Sequence, residues 1–312
     1  EFEIYTDASS KQMGAVITQQ NRPIAFFSRK LSDMTKIQTE QLSGLTLGQA
    51  TAYIDHYSPE LLQAVPRTLG RQAIGLGEEL PFVGQDTWHG YELSWLTPKG
   101  KPMVALATFV VPFDTPNLIE SKSFKLYLNS LNQSKFADIS QLYRTMKTDL
   151  SACAGKEVKV SLHNVNEIMA FQPTWIPGRC IDDLDIDVNQ YQYDASLLKT
   201  QTDADVIEEK LHSHLLKSNC LITSQPDWAS VYIHYRGKAL DHAALLRYLI
   251  SFRSHNEFHE QCVERIFTDI WLRCQPSFLA VYARYTRRGG LDINPWRASE
   301  PCTPPNIRLS RQ

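Results

Sequence analysis

Two stretches of this chain carry the same order of elements: a hairpin, two helices, then a strand. In the first, residues 91–96 and 103–112 read as strands about the turn Pro98-Lys99-Gly100-Lys101-Pro102. Residues 123–132 bring Phe124, Leu126, Leu128 and Leu131 close to helical spacing. Residues 139–153 place Leu142, Met146 and Leu150 at steps of four, and 157–163 alternate Val158, Val160 and Leu162. In the second stretch, 190–300, a hairpin includes Cys220 and the strand 231–237. Helices at 241–252 and 258–274 follow, then a strand at 278–286. Asp241 is placed to cap the first of these helices. Gly289-Gly290 breaks the chain before a last segment at 291–296. A chain built this way is confined to α+β architecture, each half an antiparallel sheet backed by two helices. Such sheets have open edges that need a partner or a cover, so assembly into an oligomer is expected.

The chain has 312 residues, enough for two domains of ordinary size. With 43% hydrophobic and 21% charged residues, both halves can bury a core. The net charge of −2 supplies no general attraction to nucleic acid or to an anionic membrane. No apolar run reaches the roughly 18 residues of a membrane span, and no secretion signal opens the chain. Cys153, Cys180, Cys220, Cys262, Cys274 and Cys302 are scattered without a CxxC pair. That pattern fits reduced thiols in a cytoplasm rather than a disulfide frame or zinc knuckle. Residues 39–90 read as loop-rich, because Pro59, Pro66, Pro81 and the glycines 70, 75, 77 and 84 interrupt any long element. Gly75-Leu76-Gly77 is too short for a dinucleotide fingerprint.

Chemistry-bearing residues gather in the second half. Cys220 and Asp227 stand seven residues apart on a loop between extended segments. A thiolate there can attack a small electrophile while the carboxyl moves a proton. Taken singly, each residue has a plain reading: Cys220 as a small buried hydrophobe, Asp227 as a turn residue after Pro226, Glu260 as an exposed helix residue. Lys122 and Lys125 read alone as a solvated helix face. His255 and His259 have the spacing of helical zinc ligands, but Asn256 stands where a zincin needs Glu. No metal ligands are assigned.

Several segments together resemble the queuosine-pathway nitrile reductases, the QueF family. They are Leu215-Leu216-Lys217-Ser218-Asn219-Cys220-Leu221-Ile222-Thr223, Gln225-Pro226-Asp227-Trp228, Ser251-Phe252-Arg253, the stretch 255–266 from His255-Asn256-Glu257-Phe258-His259-Glu260 onward, and 282–297 with Arg287-Arg288-Gly289-Gly290. The resemblance covers residues 42–312. It implies two tunnelling-fold (T-fold) modules in tandem, 39–175 and 176–312, and a homodimer that completes the barrels. It implies reduction of 7-cyano-7-deazaguanine to the aminomethyl compound with NADPH, through a covalent thioimide. By the same resemblance Cys220 is the nucleophile and Asp227 the acid. Asp ordinarily titrates at ~4, so an acid at neutral pH must be raised, most simply by burial near Trp228 and the apolar strand. The substrate falls to Ile119, Glu120, Ser121, His259 and Glu260, with Glu260 accepting two adjacent N–H groups of a guanine-like ring. NADPH falls to Ser121, Lys122, Arg288 and Gly289. The substrate is a free base, so no nucleic-acid groove is required. The alternative is a zinc-dependent pterin or purine cyclohydrolase-like enzyme of the same fold.

Residues 1–38 differ in kind. Tyr5-Thr6-Asp7-Ala8-Ser9 and Pro23-Ile24-Ala25-Phe26-Phe27-Ser28-Arg29-Lys30-Leu31 resemble the start of the ribonuclease H domain of retroelement polyproteins. Two-metal chemistry needs several carboxylates around two ions. Asp7 has no such companions here, so the segment is expected to be a non-functional extension of three short strands.

Overall fold

The computed structural model of the chain describes residues 2–8, 12–19, 22–30, 53–166 and 171–312. The chain divides into two units, Glu1–Leu45 and Thr46–Gln312. The domain boundary expected at residues 38 and 39 lies outside the described residues. In the first unit, β1 (Phe2–Ala8), β2 (Gln12–Gln19) and β3 (Arg22–Lys30) form an antiparallel meander, as the alternation predicts.

The second unit is mixed α+β, built on one large sheet. Its strands are β5 (Val83–Leu96), β6 (Pro102–Pro112), β8 (Lys159–His163), β9 (Arg179–Cys180), β10 (Val206–Asn219), β11 (Pro226–Lys238), β12 (Phe278–Tyr285) and β13 (Leu291–Ala298). Their order across the sheet is β8-β6-β5-β13-β12-β11-β10-β9. Every pairing is antiparallel except the short one of β9 with β10. The first strand of one repeat, β5, pairs with the last strand of the other, β13, from Leu291↔Gly90 to Ala298↔Val83. The two halves therefore share one continuous sheet.

Two expectations for residues 39–90 change. α1 (Arg67–Ala73) forms where only loop was expected, and β5 starts at Val83. Gly84 does not end that strand but admits it. A Cβ there would sit 2.0 Å from the Trp296 carbonyl oxygen of β13, so only glycine lets the strands meet. A small antiparallel pair, β4 (Ala64–Pro66) with β7 (Asn117–Ile119), lies apart from the large sheet.

The helices follow their apolar spacing. α2 (Ser121–Ser130) and α3 (Ile139–Ala154) bury Phe124, Leu128, Leu142, Met146 and Leu150 with Trp88 and Phe109 of the sheet. α4 (His242–Ser251) and α5 (His259–Cys274) bury Leu245, Leu249, Ile266 and Phe267 with Val231 and Val281. Each fully buried large side chain contributes about 1.5–3 kcal/mol. Asp138 and Asp241 cap α3 and α4 by accepting from Gln141 N and Ala244 N. On the far face Tyr232, Tyr282 and Trp296 pack with Ile307 and Leu309. β12 and β13, covered on both faces, are buried at every residue.

Buried charge crosses the seam between the halves. Asp86 of β5 accepts from Arg67 of α1 at 2.6 Å and Arg297 of β13 at 2.8 Å. Glu264 of α5 accepts from Arg297 Nη2 at 2.9 Å and from Arg71 Nη2 at 2.8 Å. Burial opposes the charge on both acids. The arginines outweigh it and hold both carboxyls below their usual range.

Candidate active site

The site forms where β10 ends and β11 begins. Cys220 follows Asn219 and is held in a tight loop. Its N–H donates to Gln225 O at 2.8 Å, and Ser224 N–H donates to its carbonyl at 3.0 Å. Ser224 takes a left-handed backbone, φ 54°. Residues 255–257 brace this loop: Asn219 N donates to His255 O, and Glu257 N to Asn219 O. Asn256 Nδ2 adds bonds to Ser224 Oγ at 2.8 Å and to the Cys220 carbonyl at 3.4 Å. The segment between α4 and α5 thus fixes the backbone of the thiol.

Asp227 is the second residue of β11, and the two-residue period of a strand decides its direction. Asp227 turns inward and is 2% exposed, whereas Trp228 turns outward and is 38% exposed. Asp227 is thus buried as expected, but by the inner face of the strand and not by Trp228, which lies on the opposite face. Trp228 instead packs under the Arg253 guanidinium, 5.5 Å from the ring centroid. Asp227 faces Arg288, with Nη1 2.5 Å from Oδ1, and His259, with Nε2 3.7 Å away. Burial pushes the His259 imidazole down to about 4. It is neutral at physiological pH and packs edge-on against Tyr285, ring centroids 4.1 Å apart.

Ser121 and Lys125 of α2 complete the cleft from the other half of the sheet, opposite Cys220, Asp227, His259 and Arg288. The cavity between them is about 50 Å³, room for one or two waters. Lys125 is not the solvated cation that its place on an amphipathic helix suggests. Burial, and then the Arg288 charge, lower its ammonium; Cys220 and Asp227 act the other way. Gly289 lies against its stem in a left-handed backbone, φ 56°, where a Cβ would come 3.0 Å from Lys125 Cδ.

The remaining expected site residues lie beside the cleft rather than on its wall. Ile119 is a core residue, 3% exposed. Glu120 caps α2, accepting from Lys122 N at 2.8 Å and Ser123 N at 2.7 Å. That fixes Ser121 and Lys122 in the first turn. Glu260 neighbours His259 in α5 and is 4% exposed. Burial, then the Asp86 charge, push its carboxyl up to about 8, against the pull of Arg67 and Arg297. Lys125 is the residue that sequence reasoning passed over. The available signal was its position one turn after Ser121, on the same helix face.

Two cations crowded into one buried cleft suit an anionic group such as a phosphate. A thiol, a buried carboxyl and a neutral imidazole on the same cleft suit nucleophilic attack with proton transfer.

Comparison with known proteins gives three family matches. Residues 53–162 match the N-terminal model of the nitrile reductase, 7-cyano-7-deazaguanine reductase. Residues 226–303 match the model of the QueF-like proteins. Residues 1–58 match the ribonuclease H-like domain found in reverse transcriptase. Among solved structures, the apo form of the archaeosine synthase QueF-Like aligns over 34% of this chain and 100% of its own, at 16% identity and a TM-score of 0.28. Asp227, His259, Glu260 and Arg288 fall within the second matched stretch, Ser121 and Lys125 within the first, and Cys220 between the two. With the two models matched in order, and together spanning more than half of its length, the chain belongs to the QueF family.

Proposed function

We propose that this protein reduces the nitrile of 7-cyano-7-deazaguanine to the aminomethyl group with NADPH, as a step of queuosine biosynthesis. The observation that supports it most is the meeting of Cys220, Asp227, His259, Lys125 and Arg288 on one cleft drawn from both halves of the sheet. The Cys220 thiolate adds to the nitrile carbon, and the Asp227 proton goes to the nitrile nitrogen, giving a thioimide. NADPH, when bound, supplies two hydrides in succession, exchanging once between them. After the first hydride the tetrahedral adduct expels the Cys220 thiolate and leaves an imine. The second hydride and a proton give the amine. Each nitrile consumes two NADPH and two protons.

The residues present fit the cofactor. Lys125 and Arg288 bring two cations together, and Gly289 lets backbone lie close to Lys125. They would bind and orient the phosphate oxygens of the cofactor, which would supply hydride to the carbon held by Cys220. Glu260, behind His259 and off the cleft wall, would have to ionise to accept the paired N–H groups of the base. His259, neutral, sits against Asp227 and orders its carboxyl without competing for charge.

Assembly as a homodimer is part of this reading, through the open edges at β8 and β9. Among the described residues no helix is long and apolar enough to cross a membrane, and we place the protein in the cytoplasm. Residues 1–38 are read as an extension without a role in turnover.

The deciding experiment incubates the protein with 7-cyano-7-deazaguanine and NADPH and follows loss of nicotinamide absorbance. The expected stoichiometry is two NADPH per aminomethyl product. A covalent adduct on Cys220 should appear by mass spectrometry when NADPH is withheld. An adduct that persists in Cys220→Ala, or an absence of NADPH consumption with the nitrile, overturns the proposal.

A further inference from the structure

A second constellation lies outside the cleft, at the β9 edge of the sheet. Cys180, His212 and His214 each offer one ligand atom, and these atoms lie within 4.8 Å of one another. The strands put them there. Cys180 of β9 pairs in register with His212 of β10, and His214 follows two residues on, on the same face. The two imidazole centroids are 5.4 Å apart.

The surroundings resemble the outer shell of a metal site rather than a chance cluster. The Pro177 carbonyl hydrogen-bonds to His212, while His212 Nδ1 is buried and lacks a hydrogen-bond partner. A buried ring nitrogen with no partner costs stability. A ring held by a backbone carbonyl while its other nitrogen stays bare is how ligating histidines are oriented. His214 Nδ1 lies 2.7 Å from Ser230 Oγ, which also accepts from Arg311 Nη2 at 3.1 Å. That contact, with His214 donating, frees its Nε2 as a ligand. The Asp182 carboxylate stands beside Cys180. It accepts from Ser213 Oγ at 2.6 Å and from His214 N at 2.9 Å, so it fixes the backbone that carries both histidines.

We propose that Cys180, His212 and His214 form a Zn²⁺ site that staples β9 to β10, with water as fourth ligand. One thiolate with two imidazoles is a donor set for zinc or a neighbouring late transition ion, not for magnesium or calcium. Binding forms one Zn–S and two Zn–N bonds and releases the Cys180 thiol proton to solvent. The role is structural. β9 is two residues long, too short to hold the connection between the two halves by its own ladder. The site stands independently of the nitrile-reduction reading, since none of its residues lines the cleft.

The test uses the full chain, dialysed against chelator and titrated with Zn²⁺ or Co²⁺. One metal per chain is expected. The cobalt form should show a thiolate-to-metal charge-transfer band and strong tetrahedral visible bands. Both should vanish in Cys180→Ser and in the double variant His212→Gln/His214→Gln, and persist in Cys302→Ser. Zn²⁺ should raise the melting temperature of the wild type only. In the wild-type chain, Zn²⁺ should also protect Cys180 from iodoacetamide, read by peptide mass spectrometry, which needs no variant to fold. Wild-type protein that takes up no stoichiometric metal, a charge-transfer band that survives Cys180→Ser, or Cys180 alkylated equally fast with and without Zn²⁺ overturns the proposal.

Discussion

Arg288 Nη1 lies 2.5 Å from Asp227 Oδ1, an ion pair between residues 61 apart in sequence that lines the cleft together with Cys220. The same guanidinium also holds Gln225. In the proposed reaction this pair has to part before Asp227 can pass a proton to the nitrile nitrogen.

Replacing Arg288 with alanine is therefore expected to separate two steps. The KM for NADPH should rise about ten- to a hundredfold, the loss of one charge-assisted contact of about 1.5–3 kcal/mol. Formation of the Cys220 adduct, followed by mass spectrometry without NADPH, should persist. Arg288→Lys should recover only part of the loss, because lysine keeps the charge but not the planar fork. Adduct formation lost together with cofactor binding would count against this division.

Glu260 gives a pH dependence of defined sign. In the unfolded chain its carboxyl titrates near 4.5; in the fold burial pushes it to about 8. Above 4.5 the unfolded form is ionised while the native form keeps its proton. Stability therefore falls as pH rises from 4.5 to about 8 and levels off beyond. Glu260→Gln removes this penalty and should stabilise the protein at pH 8 by on the order of a few kcal/mol, read by urea titration. The same variant should lose the base, since the amide cannot accept both N–H groups. In the wild type, calorimetry should find affinity for 7-cyano-7-deazaguanine rising toward pH 8.

Arg297 is 0% exposed and joins Asp86 to Glu264 across the seam. Arg297→Met keeps most of the volume and leaves two buried carboxylates short of one counter-charge. Removing one partner of a buried pair costs about 3–5 kcal/mol. The lower end is expected, because Arg67 still reaches Asp86 and Arg71 still reaches Glu264. Adding Glu264→Gln should cost less than the sum of the single changes, since both act on one network.

Gly289→Ala should act through Lys125. The left-handed backbone itself costs an alanine about 1–2 kcal/mol. The new methyl would stand 3.0 Å from Lys125 Cδ, displacing that side chain from the cleft. A melting temperature lowered by a few degrees with a raised KM for NADPH is expected. An unchanged KM would remove Lys125 from the cofactor's path.

Some of this was legible beforehand for physical reasons. The helices carrying Leu142, Met146 and Leu150, or Leu245 and Leu249, announce themselves because one face must be apolar at a step near 3.6. The repeated order of elements likewise gave the antiparallel sheet backed by helices. Residues whose environment comes from distant chain were not legible. Lys125 looks solvated until the loop after β12 brings Arg288 and Gly289 over it. Arg67 and Arg71 sit among prolines and glycines, and one of their acids, Glu264, lies 193 residues beyond Arg71. Glu120 is an uncommon capping residue, so nothing local shows that its carboxylate is occupied by the first turn of α2. Trp228 was misplaced for a simpler reason: neighbouring strand residues point to opposite faces.

The pairing of β5 with β13 has a consequence for biosynthesis. The strand at the middle of the sheet is the last of its eight strands in chain order. Until Leu291–Ala298 emerges, the nascent protein carries two half-sheets, each with a bare inner border at β5 and β12. Chaperone protection during that interval, or a tendency to aggregate when translation stalls just short of it, is built into the order of the chain.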